Sequence, residues 1–315
     1  MAETSEKKII AVLTATGTQG ASVVRELLKD GKFAVRGLTR NPQSEKSKDL
    51  TQQGVEMVKA DAGDIESLAA AFENVYGVYA NTVWGILAAE GFDQKKTEVI
   101  EVQHGKNLVD AAKKAGVQHF VWSTLDGISD PYVYHFMTKH QINSFVAQSG
   151  IPNWTLLYTS CYYSNLCMPG IEFLKKDKDG HFFLDIPMPP DTPVDWFDAT
   201  EVGKWVVPIF ADPAKYNEQR VDAVSELFSP REKAKIIEKV TGVPVAVKEI
   251  TTEEFFEPSF RASVFDEMWL NSACWVTGQF KRDHKQSKSI VPSPVTFEEF
   301  LKTDKLSRQF LGLDV

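Results

Sequence analysis

Thr14, Gly17 and Gly20 stand three residues apart, after the apolar run Ile9-Ile10-Ala11-Val12-Leu13 and before Val23, Val24, Leu27 and Leu28 at helical spacing. Glycine in a strand-to-helix turn lets backbone approach a pyrophosphate, and the start of a helix offers N–H groups to anionic oxygens. The spacing is that of a GxxGxxG turn whose first glycine is Thr14; GxGxxG spacing does not apply. Thr14, Thr16, Gly17, Thr18, Gln19 and Gly20 are therefore the candidate dinucleotide-binding turn. A tight turn serving only helix–strand packing is the competing reading.

A second strand, read over Ala34 to Thr39, ends at Arg40. An acid near that point would accept hydrogen bonds from a ribose 2′-hydroxyl. Arg40 offers a planar cation suited to a 2′-phosphate, and Lys46 and Lys48 add positive charge nearby, so NADP(H) is expected over NAD. Asp61, after the third strand, is a candidate adenine contact or a turn carboxylate, whereas Asp64 reads as a helix cap. Asn81 and Thr82 follow the fourth strand, at the sheet edge where ligands gather, and a loop role competes for both.

Positioning these residues requires repeated βα units. Strands are read at 55–58, 77–80, 119–122 and 154–158, with helices from Asp64, over 95–114 and over 135–148. Near-continuously apolar strands alternating with helices predict a Rossmann-like, doubly wound α/β fold with a parallel sheet. After Ser160 the rhythm breaks at Pro187, Pro189, Pro190 and Pro193. Shorter elements follow: helices near 199–210, 230–241 and 296–310, and strands near 220–224 and 245–250. The expected division is a dinucleotide-binding domain over 1–160 and a smaller C-terminal α/β lobe over 161–315, facing substrate or partner. That boundary is approximate, and whether the later strands join the main sheet is left open.

The chain has 315 residues and a net charge of −8, with a pI of about 5.4. An acidic surface disfavours duplex nucleic acid and anionic membranes. No apolar run approaches the ~18 residues of a span, and Met1 to Lys8 lacks the apolar core of a signal peptide. Cys161, Cys167 and Cys274 form no CxxC pair and read as thiols of a reducing compartment. The expected location is the cytoplasm, with the nucleus also compatible. His104, His119, His135, His140, His181 and His284 show no metal-binding spacing, and no metal is expected.

The segments Ala15-Thr16-Gly17-Thr18-Gln19-Gly20, Val35 to Pro42, Gln103 to Leu108, Val121-Trp122-Ser123, His135-Phe136-x-x-Lys139, Gly150-Ile151-Pro152, Cys161 to Leu166 and the stretch around Trp196 to Val202 are together similar to the NmrA-like family. That family consists of atypical short-chain dehydrogenases with an extended C-terminal part. The resemblance runs to about residue 250 and implies a bound dinucleotide. It implies two alternative activities: reduction of a small carbonyl, quinone or aromatic substrate, or non-catalytic redox sensing through a protein partner.

Short-chain dehydrogenases place Tyr-x-x-x-Lys on one helical face, with a serine from the fifth strand. The resemblance assigns the lysine to Lys139 and the serine to Ser123, but His135 stands four before Lys139 and Tyr134 is about 100° around the helix. His135 is the candidate acid in the tyrosine's place, against a purely structural role. Asn165 matches a family position and is a candidate cofactor contact, with a turn cap as the alternative. Tyr162 is a candidate cofactor contact. With Trp84, Tyr163 and Trp196 it could line a nicotinamide pocket, or each could be core.

Overall fold

The computed structural model describes residues 7–83 and 85–314; residues 1–6, Trp84 and Val315 lie outside the described residues. In chain order the first elements are β1 (Ile9–Val12), α1 (Thr18–Asp30), β2 (Ala34–Thr39), α2 (Glu45–Gln52), β3 (Glu56–Lys59), α3 (Ile65–Ala71), β4 (Gly77–Ala80), α4 (Ile86–Ala89), α5 (Gln94–Lys114), β5 (His119–Thr124), α6 (Tyr134–Ala147) and β6 (Asn153–Thr159). Local chemistry sets several boundaries. The Asp64 carboxylate caps α3 by accepting the N–H groups of Glu66 and Ser67. Gly31, at φ +72°, closes α1 by donating its N–H to Leu27.

Next come β7 (Cys161–Tyr162), β8 (Leu174–Lys176), β9 (Phe182–Leu184), β10 (Val194–Phe197), α7 (Gly203–Ala211), α8 (Pro213–Tyr216), β11 (Gln219–Ala223) and β12 (Glu226–Phe228). The chain then forms α9 (Pro230–Thr241), β13 (Val245–Val247), α10 (Thr252–Phe255), α11 (Pro258–Ala262), α12 (Asp266–Val276), α13 (His284–Ile290), α14 (Phe297–Thr303) and α15 (Lys305–Phe310). Two compact units result. One comprises the chain up to Gly127 with Tyr134–Thr159 and Thr200–Val221, and the other Ile128–Val133, Ser160–Ala199 and everything from Asp222 onward.

The first unit is built on a seven-stranded sheet of order β11-β6-β5-β4-β1-β2-β3. β1 to β6 pair in parallel. The strand order reverses between β1 and β4, the crevice where open α/β sheets gather ligands. Alternation along β5 shows the two covered faces. Phe120 and Trp122 join the core formed with Leu68, Leu108, Val109, Ile142 and Val146 of α3, α5 and α6. His119 faces the other way, its ring 5.1 Å from Phe210 of α7. Burial holds the His119 pKa down at about 4, so the imidazole is a neutral core group. α7 is tied to α1 by the bond from Gly203 N–H to Ser22 Oγ, 2.9 Å. At the sheet edge, β11 joins β6, so one strand from beyond residue 160 does extend the main sheet.

The second unit carries two three-stranded sheets, β12-β10-β7 and β13-β9-β8. Its core includes Trp196 stacked on Phe228 at 5.6 Å and Tyr163 beside Phe297 at 5.3 Å. The single terminal helix expected over 296–310 is two helices. Asp304 ends α14 with extended backbone and caps α15 by accepting the Ser307 N–H at 2.8 Å, so one side chain restarts the helix in a new direction. The helix expected near 199–210 begins as a 3-10 turn at Ala199–Glu201. Among the described residues no helix is long and apolar enough to cross a membrane.

Candidate functional site

The chain leaves β1 through Thr14, whose φ is +48°. A threonine in this left-handed region costs roughly 1 kcal/mol more than glycine. The conformation is held from both sides: Leu13 N–H donates to Tyr79 O at 3.0 Å and Gly17 N–H to Thr14 O at 2.7 Å. The Thr14 hydroxyl donates to Asn81 Oδ1 at 2.9 Å, tying the ends of β1 and β4 across the strand-order reversal. The glycine lost at this position is thus replaced by a residue that reaches its conformation and gains a partner.

Gly17 and Gly20 do different work. A Cβ at Gly20 would lie 2.2 Å from Thr14 O and 2.6 Å from Leu13 O, so only glycine lets α1 pack this closely against the turn. A Cβ at Gly17 would meet Thr14 O at 3.2 Å, a tight but not impossible approach. Gly17 is the N-cap of α1 and supplies no side-chain cap. The first turn of a thirteen-residue helix therefore presents N–H groups and the positive end of its dipole with no competing side-chain oxygen from the cap. That arrangement suits an anionic oxygen.

Around the turn, Thr16 is half-buried and Thr18 exposed. Gln19 Oε1 accepts from the Tyr79 hydroxyl and from Ser123 Oγ, the latter at 2.9 Å. The side chain of Gln19 thus fastens the helix start to β4 and β5, and Ser123 is held there. Arg40 is exposed at the end of β2 and, among the described residues, forms no hydrogen bond or ion pair. Arg36 of the same strand is different: it pairs with Glu56 at 2.8 Å and donates to the carbonyls of Ala71 and Glu73. Lys48 pairs with Glu45 at 2.8 Å, and Lys46 is exposed. Asp61 is exposed, and its carboxylate accepts the Gly63 N–H at 2.8 Å, an Asx turn.

Lys139, on α6, reaches a partner that the sequence reading missed. Its ammonium pairs with the carboxylate of Glu101 on α5. Glu101 is fully buried. It also accepts from Thr82 Oγ1 at 2.6 Å and Thr138 Oγ1 at 2.7 Å. Burial alone would push the Glu101 carboxyl up, but the Lys139 charge and the three donors outweigh it and hold the group below its ordinary range. α6 is fixed to β5 by Trp122 Nε1 donating to Lys139 O at 3.1 Å. The signal for Glu101 was present: it lies on the same stripe of α5 as Gly105, Leu108 and Ala112, where an acid is out of pattern.

The structure brings Thr82 and Lys139 together through Glu101, and Thr14 to Asn81. It commits Ser123 to Gln19. His135 is half-buried beside the Phe136 ring at 4.2 Å, and its carbonyl accepts from Thr138 Oγ1 at 3.3 Å. Tyr162 and Asn165 belong to the second unit. The Tyr162 ring packs edge-on against Phe197 at 5.4 Å. Asn165 Nδ2 donates to Cys161 Sγ at 3.5 Å, and its Oδ1 is buried with no partner among the described residues. Tyr163 and Trp196 are core: Tyr163 donates to Glu226 Oε2 at 2.6 Å and Trp196 Nε1 to Phe228 O at 2.9 Å. The pocket role considered for Trp84 lies outside the described residues.

Among the described residues one trio has metal-ligating atoms within 4.8 Å of one another: Asp177, Asp179 and His181, all exposed. Asp177 there accepts the N–H groups of residues 179 and 181 and contacts the His181 ring at 3.2 Å, which accounts for the cluster as a turn.

Residues 6–301 match the model of the NmrA-like family. An NmrA-like family domain-containing protein of Dictyostelium discoideum is 31% identical over 281 residues, 82% of this chain and 88% of that protein. An NmrA-like family domain-containing oxidoreductase of Malbranchea aurantiaca is 28% identical over 75% of this chain and 74% of its own length. The fold is similar to that of NmrA, a negative transcriptional regulator, solved in complex with NADP (TM-score 0.76, 22% identity, 95% of each chain). The same regulator in complex with NAD gives a TM-score of 0.77 at 23% identity, over 98% of this chain and 99% of that one. By the extent of the family match and the likeness of the Dictyostelium protein, the chain belongs to the NmrA-like family.

Proposed function

We propose that this chain binds NADP(H) on its first unit and acts as an oxidoreductase, passing hydride from NADPH to a small carbonyl, quinone or aromatic substrate. The observation that carries the cofactor reading is the glycine-bounded start of α1, free of a side-chain cap, with the exposed Arg40 guanidinium at the end of the adjacent strand. Backbone N–H groups of Thr18 and Gln19 would hold the pyrophosphate, Arg40 the 2′-phosphate, and Lys139 the ribose hydroxyls. Thr14, Thr16, Thr18, Gly20, Asn81 and Thr82 shape the cradle, and Asp61 is assigned to the adenine end. In this reading the second unit, with Tyr162 and Asn165, is the substrate or partner lobe. The nicotinamide supplies the hydride when bound; the chain binds, orients and charges the site. The oxidoreductase likeness supports the chemistry. The expected location is the cytoplasm or nucleus.

A second reading, a redox sensor acting through a protein partner, is favoured by one observation. His135 replaces the proton-donating tyrosine, while the Ser123 and Tyr79 hydroxyls are both committed to Gln19. Steady-state NADPH absorbance over a panel of quinones, aldehydes and aryl ketones separates the two. Turnover that falls by about 100-fold or more in Lys139→Ala, with the protein still folded, is expected of the enzyme. Tight NADPH binding without oxidation by any member of the panel would leave the sensor.

A further inference from the structure

A charged carboxylate in a protein core is costly unless it is paired and fully hydrogen-bonded. Glu101 meets that condition through donors from three places: Thr82 just past β4, and Thr138 and Lys139 on consecutive residues of α6. The carboxylate is fully inaccessible, whereas the Lys139 side chain is 14% exposed. An ammonium carries three N–H donors. One is spent on Glu101 from inside the fold, which leaves two for a ligand approaching from solvent.

We infer that Glu101 is a positioning residue: its buried carboxylate anchors the Lys139 ammonium so that a ligand meets a lysine already fixed in place. A long, flexible side chain otherwise loses rotamer freedom when it binds, and anchoring it beforehand removes that cost from binding. Thr82 and Thr138 hold the acid and not the lysine, so they act one step further away. The inference rests on the reading that Lys139 contacts the dinucleotide, and two measurements separate it from that reading.

The first is amine acylation of the cofactor-free protein, read at Lys139 by peptide mass spectrometry. Glu101→Gln is expected to speed acylation of Lys139 on the order of tenfold, the size of one lost charge-assisted bond. Thr138→Val, which keeps the carboxylate, is expected to leave the rate within about twofold of wild type. Unchanged acylation in Glu101→Gln overturns the inference. So does a Thr138→Val rate as high as that expected of Glu101→Gln, because general loosening of the core would then explain the exposure. Where Glu101→Gln does not fold, Glu101→Asp, whose shorter side chain draws the carboxylate back from Lys139, takes its place, and unchanged acylation there overturns the inference.

The second is a double-mutant cycle on NADPH affinity by calorimetry. Glu101→Gln and Lys139→Met are each expected to weaken binding on the order of tenfold. Glu101→Gln should then add nothing in the Lys139→Met background. Additive losses overturn the inference. A wild-type protein that does not bind NADPH refutes the cofactor reading instead, and the acylation result still stands for or against Glu101.

Discussion

Lys233→Met is expected to stabilise this protein at neutral pH, raising its Tm by about 5 °C or more. Lys233, on α9, is fully inaccessible, and its Nζ has no hydrogen-bond partner among the described residues. The ammonium lies 3.6 Å from the centre of the Trp196 ring and 4.7 Å from that of Phe297. The thiols of Cys161 and Cys167 are the titratable groups facing it. Cation–π attraction is worth about 2 kcal/mol when desolvated, well short of the cost of burying an unpaired charge. Burial accordingly lowers the Lys233 pKa from 10.5 to about 7.

The sign of the pH dependence follows from that depression. Between pH 7 and 10.5 the unfolded chain holds a proton on this lysine that the folded chain does not. Stability therefore rises with pH through this window. Below about pH 7 both states are protonated and the folded state bears the whole cost of the buried charge, on the order of 5 kcal/mol. Methionine fills a similar volume without the charge. Paired thermal melts from pH 6 to 10 should show the advantage of the variant shrinking as pH rises. A variant less stable than wild type at every pH would mean that the ammonium is well solvated or partnered, contrary to this description.

The second large effect separates the two glycines of the turn. Gly20→Ala would drive a Cβ into two backbone oxygens, 2.2 and 2.6 Å away, that no side-chain rotation relieves. It is expected to destabilise the protein by about 3 kcal/mol or more. Gly17→Ala has ordinary extended backbone at φ −93° and a single 3.2 Å approach. It should fold and yet bind dinucleotide more weakly, because its methyl crowds Thr14 in the turn that aims the first N–H groups of α1. Denaturant titration with calorimetry on both variants decides this. A Gly20→Ala protein as stable as wild type would show that α1 does not pack as described.

Much of the first unit was legible because its signals are local. Period and punctuation marked β1, β2, β4 and β5, and Asp64 announced the cap of α3 from its own neighbourhood. Gly17 and Gly20 were found together, but their division of labour was not, since it depends on carbonyls of Leu13 and Thr14 folded back against α1. Glu101 was missed although it interrupts the buried stripe of α5, because the partners that make a buried acid tenable there, Thr138 and Lys139, come from α6 more than thirty residues later. Likewise no local pattern pairs β9 with β13, which lie some sixty residues apart. The Asp304 break was a missed local signal: an aspartate three residues before a serine N–H it can cap.

The measurement that bears most directly on the cofactor reading is calorimetric titration of NADPH, NADP and NAD into the wild-type protein and Arg40→Ala. The expected result is NADP(H) bound on the order of tenfold or more tightly than NAD, the worth of a guanidinium–phosphate bond. That preference should be lost in Arg40→Ala while NAD affinity is unchanged. Equal affinity of the wild type for both cofactors, or NADP affinity unaltered by Arg40→Ala, would contradict it.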